Sequence, residues 1–267
     1  MTAESTRLAM LTSDLTEKTK ELLRRYACKY ERTFPSPDPS EVMLAAKGNA
    51  NREATAFVAS CLSFGSIKQF MPKIQSLVAF AKGDMDEWIR SGAFAREIPD
   101  DDKLTFYRFI TFANLRSFLC TYRQIMQSHG TLGGYIKACG DGTGLGAVKA
   151  ICAAFKGSGA RYLVPESATS ACKRLCMFLR WMVRRGAAVD VGLWADFIAR
   201  DTLIMPLDAH VVSEARKLGL LANELASMVT ARKLTAVMSE VFPGDPLRGD
   251  FALFGHGRET STPECIS

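Results

Sequence analysis

The chain has 267 residues, of which 48% are hydrophobic and 23% are charged, and its formal net charge is +6. This composition excludes an intrinsically disordered chain, and the length suits one large domain or two lobes. The positive charge favours an anionic partner such as nucleic acid. Because the sequence shows neither a signal-peptide pattern nor a stretch of about 18 apolar residues, we expect a cytoplasmic protein without membrane contact.

The eight cysteines are scattered, with no Cys-x-x-Cys pair, and most of them fall within apolar stretches. Buried small hydrophobic side chains are the ordinary interpretation of such thiols in a reducing compartment. Cys172 and Cys176 lie four positions apart on one predicted helix, but two thiols without further ligands make a poor metal site. We therefore expect no metal and no other cofactor.

Apolar residues recur at spacings of three and four along the whole chain, which predicts an all-α fold. The prolines within 33–39 interrupt this pattern and predict a loop. Asp84 is placed to cap a short helix that runs through Trp88. The first predicted helices cover about 14–31, 51–63 and 67–81.

An aromatic stretch at 106–112 follows a turn at 99–102 and leads into a helix that we expect to end near residue 128. These aromatic side chains offer surfaces on which bases stack, although aromatics at helical spacing more often belong to a core. The glycines at 140–146 do not have the flanking pattern of a dinucleotide-binding loop. They predict a loop between two helices.

A basic helix is predicted over 172–185, with five cations and no acidic residue. Its apolar side chains lie on one face, whereas Lys173, Arg180 and Arg184 fall within about 40° of one another on the opposite face. Because no acid lies four positions away, the helix itself does not neutralise this stripe. Two interpretations stay open, a solvated charged face and a binding surface for an anion.

The segment 204–221 reads as an entry turn at Pro206, an N-cap at Asp208, a helix over about 209–218 and a stop at Gly219. Taken alone, an aspartate at this position is more often a cap than a catalyst. His210 is likewise more often a surface or hydrogen-bonded residue than a base.

The residues at 206–212 and 216–220 nevertheless resemble the Val-Asp-x-His stretch and the following Arg-x-Gly-Leu-like sequence of helix-hairpin-helix DNA glycosylases. The blocks at 170–184, 191–194 and 250–255 are more specifically similar to a bacterial protein family of that superfold. The resemblance implies one glycosylase-like helical unit over 1–267, built from two helical lobes with a cleft between them. Lobe A would comprise about 1–48 and 188–267, and lobe B about 49–187.

This resemblance also implies roles for individual residues. The catalytic aspartate of the superfamily falls on Asp208 and the lysine nucleophile on Lys173, at a spacing of 35 positions that is close to that of archaeal 8-oxoguanine glycosylases. The remaining candidates are four nucleic-acid contacts, Arg174, Arg180, Arg184 and His210, and two side chains of a base pocket, Phe64 and Trp181.

Two features depart from the superfamily pattern. Its glycine-rich hairpin is replaced by the sequence at 164–170, and its four-cysteine cluster is absent, so no iron–sulfur centre is implied. The function implied is that of a monomeric base-excision DNA glycosylase acting on damaged duplex DNA, with AP-lyase activity through a lysine Schiff base. The alternatives are a non-catalytic DNA- or RNA-binding protein on the same scaffold and a helical protein–protein adaptor.

Overall fold

The computed structural model describes residues 15–33, 36–222 and 225–261, and within these ranges the chain is almost wholly helical. The all-α prediction is confirmed. The helices are α1 Glu17–Arg32, α2 Ser40–Ala45, α3 Asn49–Leu62, α4 Ile67–Phe80, α5 Met85–Ser91, α6 Phe112–His129, α7 Leu132–Cys139, α8 Gly144–Phe155, α9 Lys173–Val183, α10 Ala209–Lys217, α11 Met228–Val241 and α12 Arg248–Ser261. Short 3₁₀ turns lie at Ala93–Arg96 and Arg200–Thr202.

Capping residues account for several of these boundaries. Asp84 accepts a hydrogen bond from the amide of Glu87 at 3.1 Å and so begins α5, as its sequence predicts. Gly92 ends the same helix in the left-handed conformation, at φ 80°. Gly219 follows α10 at φ 72°, in agreement with the predicted stop. The predicted start of the first helix at residue 14 lies outside the described residues.

Most of the aromatic stretch at 106–112 lies in a β-hairpin, and the helix that follows it begins at Phe112. Strands β1 (Thr105–Tyr107) and β2 (Ile110–Thr111) pair antiparallel, with Arg108 and Phe109 at the turn. Strands of two or three residues display almost no alternation, so hydrophobic periodicity does not detect them. Helix α6 then begins directly after β2, capped by the side chain of Thr111.

The loop predicted over 140–146 is shorter in the structure than in the prediction. Helix α8 already begins at Gly144, because the hydroxyl of Thr143 accepts a hydrogen bond from the amide of Gly146 at 2.9 Å. Gly144 lies against the chain at Thr202, where a Cβ atom would approach the carbonyl oxygen to 2.8 Å. Close backbone packing therefore explains this glycine.

The centre of the molecule is α3, whose residues are buried on almost every side. The ring of Phe57 contacts four aromatic rings at centroid distances of 5.0–5.7 Å, those of Phe118, Tyr122, Phe155 and Phe178. Phe178 belongs to α9, so this cluster seats the apolar face of the basic helix on the core. The opposite face of α9 is left for polar contacts.

The first and last described helices pack closely together. Tyr30 of α1 lies edge-on to Phe254 of α12, and Tyr26 of α1 lies edge-on to His256. A Cβ atom at Gly255 would come within 2.2 Å of the Tyr30 ring, so the backbones approach closely at this glycine. The first and last described helices are thus in contact. The two lobes and their boundaries stay a prediction.

No helix in the described ranges has both the length and the apolar character that crossing a membrane requires.

Candidate functional site: a lysine–aspartate pair beside an aromatic surface

The structure brings together the two residues assigned catalytic roles. The Nζ atom of Lys173, the first residue of α9, lies 3.4 Å from Oδ2 of Asp208, the N-cap of α10. The side chains are 34% and 37% exposed, so the pair is accessible from solvent. An amine and a carboxylate from distant parts of the chain therefore meet at the start of two helices.

The two oxygens of Asp208 do different things. Oδ1 accepts a hydrogen bond from the amide of Val211 at 2.7 Å, which is the contact of an N-cap. Oδ2 faces Lys173. The capping interpretation of Asp208 is confirmed, and capping leaves the second oxygen available to the lysine.

The cationic stripe expected on α9 does not exist as an exposed surface. Arg180 is only 4% exposed and donates to Asp190 at 3.2 Å and to Asp250, which lies in the first turn of α12. Burial alone would lower the pKa of Arg180, but the surrounding carboxylates raise it above its ordinary value. Arg180 is therefore a buried structural cation, and its predicted contact with nucleic acid is wrong.

The predicted contact of Arg184 with nucleic acid is wrong for the same reason. Its side chain is 2% exposed and holds Asp245 with two hydrogen bonds, at 2.8 and 2.9 Å, while also donating to Glu31 and Asp190. Burial raises the pKa of Asp190, and the two arginines oppose that rise. These acids lie outside α9, six residues beyond Arg184 for Asp190 and much farther along the chain for Glu31 and Asp245, so a search for acids within one helical turn does not find them.

Arg174 links α9 to the hairpin side of the site. Its guanidinium donates to the carbonyl oxygens of Cys61 and Tyr162, and it lies 5.0 Å from the ring centre of Phe64. Burial lowers the pKa of Arg174. These contacts fix the loop after α3 and the loop before α9, so Arg174 positions the residues around Lys173.

An aromatic surface continues outward from Phe64. This ring stacks on Phe109, with centroids 5.3 Å apart and an angle of 26° between the planes, and Phe109 in turn contacts Tyr162 at 5.1 Å. Phe109 is 53% exposed at the tip of the hairpin. We call Phe64, Phe109 and Tyr162 the aromatic surface.

Arginines border the aromatic surface. Arg161 lies over the ring of Tyr162 at 4.9 Å, and Arg108 lies over Phe64 at 5.9 Å. Cations over aromatic rings gain about 0.5–1 kcal/mol each at exposed sites. The sequence interpretation of the aromatic stretch as core holds for Phe106 and Tyr107, which are buried, but not for Phe109.

The second proposed base-pocket residue lies elsewhere. Trp181 is fully buried, so it presents no surface to a base, and that prediction is wrong. Its indole nitrogen is buried without a hydrogen-bond partner in the described part of the chain. Trp181 is buried because other segments cover the face of α9 that carries it, as they also cover the face that carries Arg180. Of the two base-pocket candidates only Phe64 remains partly exposed.

His210 lies two residues after Asp208 and is half-buried against α12. Its ring is edge-on to Phe254, with centroids 6.3 Å apart. A Cβ atom at Gly257 would come within 2.3 Å of the His210 Nε2 atom, so the histidine packs tightly against that helix. Its predicted contact with a phosphate stays a prediction.

A cysteine lies directly before Lys173. The pKa of the Cys172 thiol is lowered to about 7, chiefly by a hydrogen bond from Cys152 and also by one from Ser170. The Cys172 Sγ atom lies 3.5 Å from the Ser170 hydroxyl oxygen.

In the part of the chain that is described, no group of three or more His, Cys, Asp or Glu side chains is arranged to hold a metal ion.

Neither the curated proteins nor the solved structures contain a match to this chain. One family model does match, over residues 38–259, and its description reads "Protein of unknown function (DUF2400)". The matched range contains Lys173, Asp208 and all three residues of the aromatic surface. It spans well over half of the sequence, and the chain therefore belongs to this family.

Proposed function

We propose that this protein is a base-excision DNA glycosylase with AP-lyase activity, in which Lys173 is the nucleophile and Asp208 the catalytic acid–base partner. The observation that carries the proposal is the 3.4 Å approach of the Lys173 nitrogen to Asp208 Oδ2, at an accessible place between two helix starts. The resemblance to helix-hairpin-helix glycosylases assigns roles to the same two residues. Local sequence alone does not require them to meet.

A lysine amine is a suitable nucleophile for a sugar C1′ carbon once it has lost a proton. At an abasic site, Nζ adds to the C1′ aldehyde and water leaves, which gives a Schiff base. Removal of a C2′ proton then expels the 3′ phosphate and cuts the strand. At a damaged nucleotide, Nζ bonds to C1′ as the bond from C1′ to the base breaks, and the base leaves with the electron pair and takes up a proton.

Asp208 is suited to two parts of this chemistry. Its Oδ2 is placed to accept the proton that Lys173 must lose before it attacks. Its negative charge also stabilises the cationic character that develops at C1′ as the base departs. The hydrogen bond from the Val211 amide to Oδ1 fixes the carboxylate for both roles.

The aromatic surface supports a nucleic-acid partner. Phe109 projects into solvent from a hairpin tip, and Arg161 and Arg108 border it with positive charge. Single-strand binding sites combine basic side chains with exposed rings on which bases stack. Through Phe64 and Arg174, this surface is connected to the helix that begins with Lys173.

The proposed scaffold is the helix-hairpin-helix glycosylase fold, with Lys173 and Asp208 at the cleft between the two lobes. The chain packs as a helical unit whose first and last described helices are in contact, as one discontinuous lobe requires. The proposed partner is damaged duplex DNA, bound by a monomer.

A non-catalytic nucleic-acid-binding protein on the same scaffold is the second candidate. It is favoured by the sequence at 164–170, which replaces the glycine-rich hairpin of the superfamily. The aromatic surface serves this candidate equally well, because stacking needs no lysine chemistry.

Incubation with duplexes that carry damaged bases or an abasic site separates the two candidates. The glycosylase proposal predicts release of a base or cleavage of the strand at the abasic site. Binding to every duplex without either reaction supports the second candidate, and binding to none contradicts both.

A further inference from the structure

An arginine-rich cavity lies at the far end of α9 from Lys173. Its volume is about 410 Å³, within the range of roughly 300–1,000 Å³ that small-molecule sites occupy. Lys173 and Arg184 are eleven positions apart, or about 16 Å along a helix. The cavity is therefore separate from the lysine–aspartate pair. We call it the arginine pocket, after the five arginines that line it, Arg24, Arg184, Arg185, Arg200 and Arg248.

The arginine pocket has an excess of positive charge. Only two acidic residues, Glu31 and Asp245, are among the lining residues in the described part of the chain. Arg184 engages both of them, and Arg248 adds a contact to Glu31 at 3.1 Å. The two carboxylates are thus largely occupied by the two arginines next to them.

The other three arginines retain hydrogen-bond donors. Arg24 and Arg200 each donate Nε to a backbone carbonyl oxygen, those of Val241 at 3.4 Å and Gly244 at 3.0 Å. Arg200 is 51% exposed, and its nearest acidic contact is a 3.9 Å approach to Asp245. A guanidinium has five N–H donors, so both retain Nη donors for a ligand.

Arg185 is the third of these residues. Its side chain is 62% exposed and pairs with the exposed Asp196 at 3.1 Å, a contact that solvent screens strongly. Arg185 and Arg200 also line a neighbouring hollow of about 360 Å³. These two arginines therefore border both hollows.

We infer that the arginine pocket binds a phosphate-bearing anion. Guanidinium groups match the geometry of phosphate oxygens and donate two parallel hydrogen bonds to them. The cavity lies over Arg184, which is buried and paired with carboxylates. Arg24, Arg185 and Arg200 retain donors around it, so they provide such groups without a rearrangement of the core. The ligand is either a free oligophosphate or the terminal phosphate of a nucleic acid, which share this chemistry.

Isothermal titration calorimetry of the full chain with tripolyphosphate tests the inference. We expect saturable binding that weakens at least about tenfold in the Arg24→Gln/Arg200→Gln double variant, since each loses charge-assisted hydrogen bonds. The matched control is Arg25→Gln, because Arg25 is an exposed neighbour on α1 that does not line the cavity. This control should stay within about twofold of the parent.

A second titration distinguishes the two sources of phosphate. It compares a 5′-phosphorylated oligonucleotide with the same strand lacking that phosphate. A preference for the phosphorylated strand that disappears in the double variant assigns the pocket to a nucleic-acid end, whereas binding of tripolyphosphate without that preference assigns it to a free oligophosphate.

If neither probe binds, or if Arg25→Gln weakens binding as much as the double variant, the inference is wrong. Melting temperatures check that each variant is folded, and the single variant Arg185→Gln replaces the double variant if the latter unfolds. Because none of these changes touches Lys173 or Asp208, the result is independent of the proposed glycosylase activity.

Discussion

The nitrogen of Lys173 lies 3.4 Å from one carboxylate oxygen of Asp208, and the other oxygen of the same carboxylate caps α10. One aspartate thus connects the start of α9 to the start of α10. This arrangement makes the capping role of Asp208 separable from its proposed chemical role, because a different oxygen makes each contact.

The substitution Asp208→Asn is predicted to remove activity and keep the fold. Asparagine caps a helix about as well as aspartate, and an exposed ion pair contributes at most about 1 kcal/mol. The amide cannot stabilise a sugar cation or accept the lysine proton, so single-turnover cleavage should fall roughly a hundredfold or more. Melting temperature and duplex affinity are measured on the same preparation. Unchanged cleavage would leave Asp208 as a cap alone.

The substitution Arg180→Ala is predicted to destabilise the protein severely. It leaves Asp250 buried without its paired cation and Asp190 paired with Arg184 alone, a loss that typically costs about 3–5 kcal/mol. Chemical denaturation measures the free energy of unfolding. Arg185→Ala is the control, since its pair with Asp196 is exposed and its loss should cost about 0–1 kcal/mol. Equal effects of the two substitutions would refute the buried network.

The substitution Phe109→Ala is predicted to weaken binding to single-stranded and damaged DNA. Stacking of a base on an exposed ring contributes about 1–3 kcal/mol, so affinity should fall about fivefold or more while the melting temperature holds. Leu104→Ala is the matched control, because Leu104 is 51% exposed near the same hairpin but has no ring. Fluorescence anisotropy measures the affinities. Parallel losses in both variants would argue against stacking.

The Cys172 thiol is predicted to ionise near pH 7, and Cys152→Ala should move its pKa upward, because the hydrogen bond from Cys152 is the main cause of the lowering. The pKa of this thiol is lower in the folded than in the unfolded state, so its ionisation adds to the free energy of unfolding at pH values above the unfolded pKa. That contribution is lost as the pH falls through about 7. Thiolate absorbance follows the titration. A first thiol transition near pH 9 in the parent protein would contradict the assignment.

Local signals were sufficient to predict several elements. Asp208, the helix after it and the stop at Gly219 follow from capping chemistry that operates over a few neighbouring residues. The boundaries of α9 were close to those expected, because apolar spacing records which helix face is buried. The meeting of Lys173 and Asp208 came from resemblance to a family and not from local pattern.

Long-range contacts explain what the sequence did not predict. Arg180 and Arg184 looked unneutralised because their acids, Asp190, Asp245 and Asp250, lie outside their helix. The hairpin at Phe109 has strands too short for periodicity to register, so the exposure of this ring was missed. Pairings of this kind depend on the packing of distant segments, which a single sequence does not display.

Covalent trapping at an abasic site tests the central claim most directly. The parent protein is incubated with an abasic duplex and borohydride, and the adduct is digested and mapped by mass spectrometry. The proposed mechanism predicts a reduced sugar adduct on the peptide that contains Lys173, and its loss in Lys173→Gln with duplex affinity retained. An adduct on another residue, undiminished trapping in Lys173→Gln, or duplex binding without any adduct in the parent would contradict it.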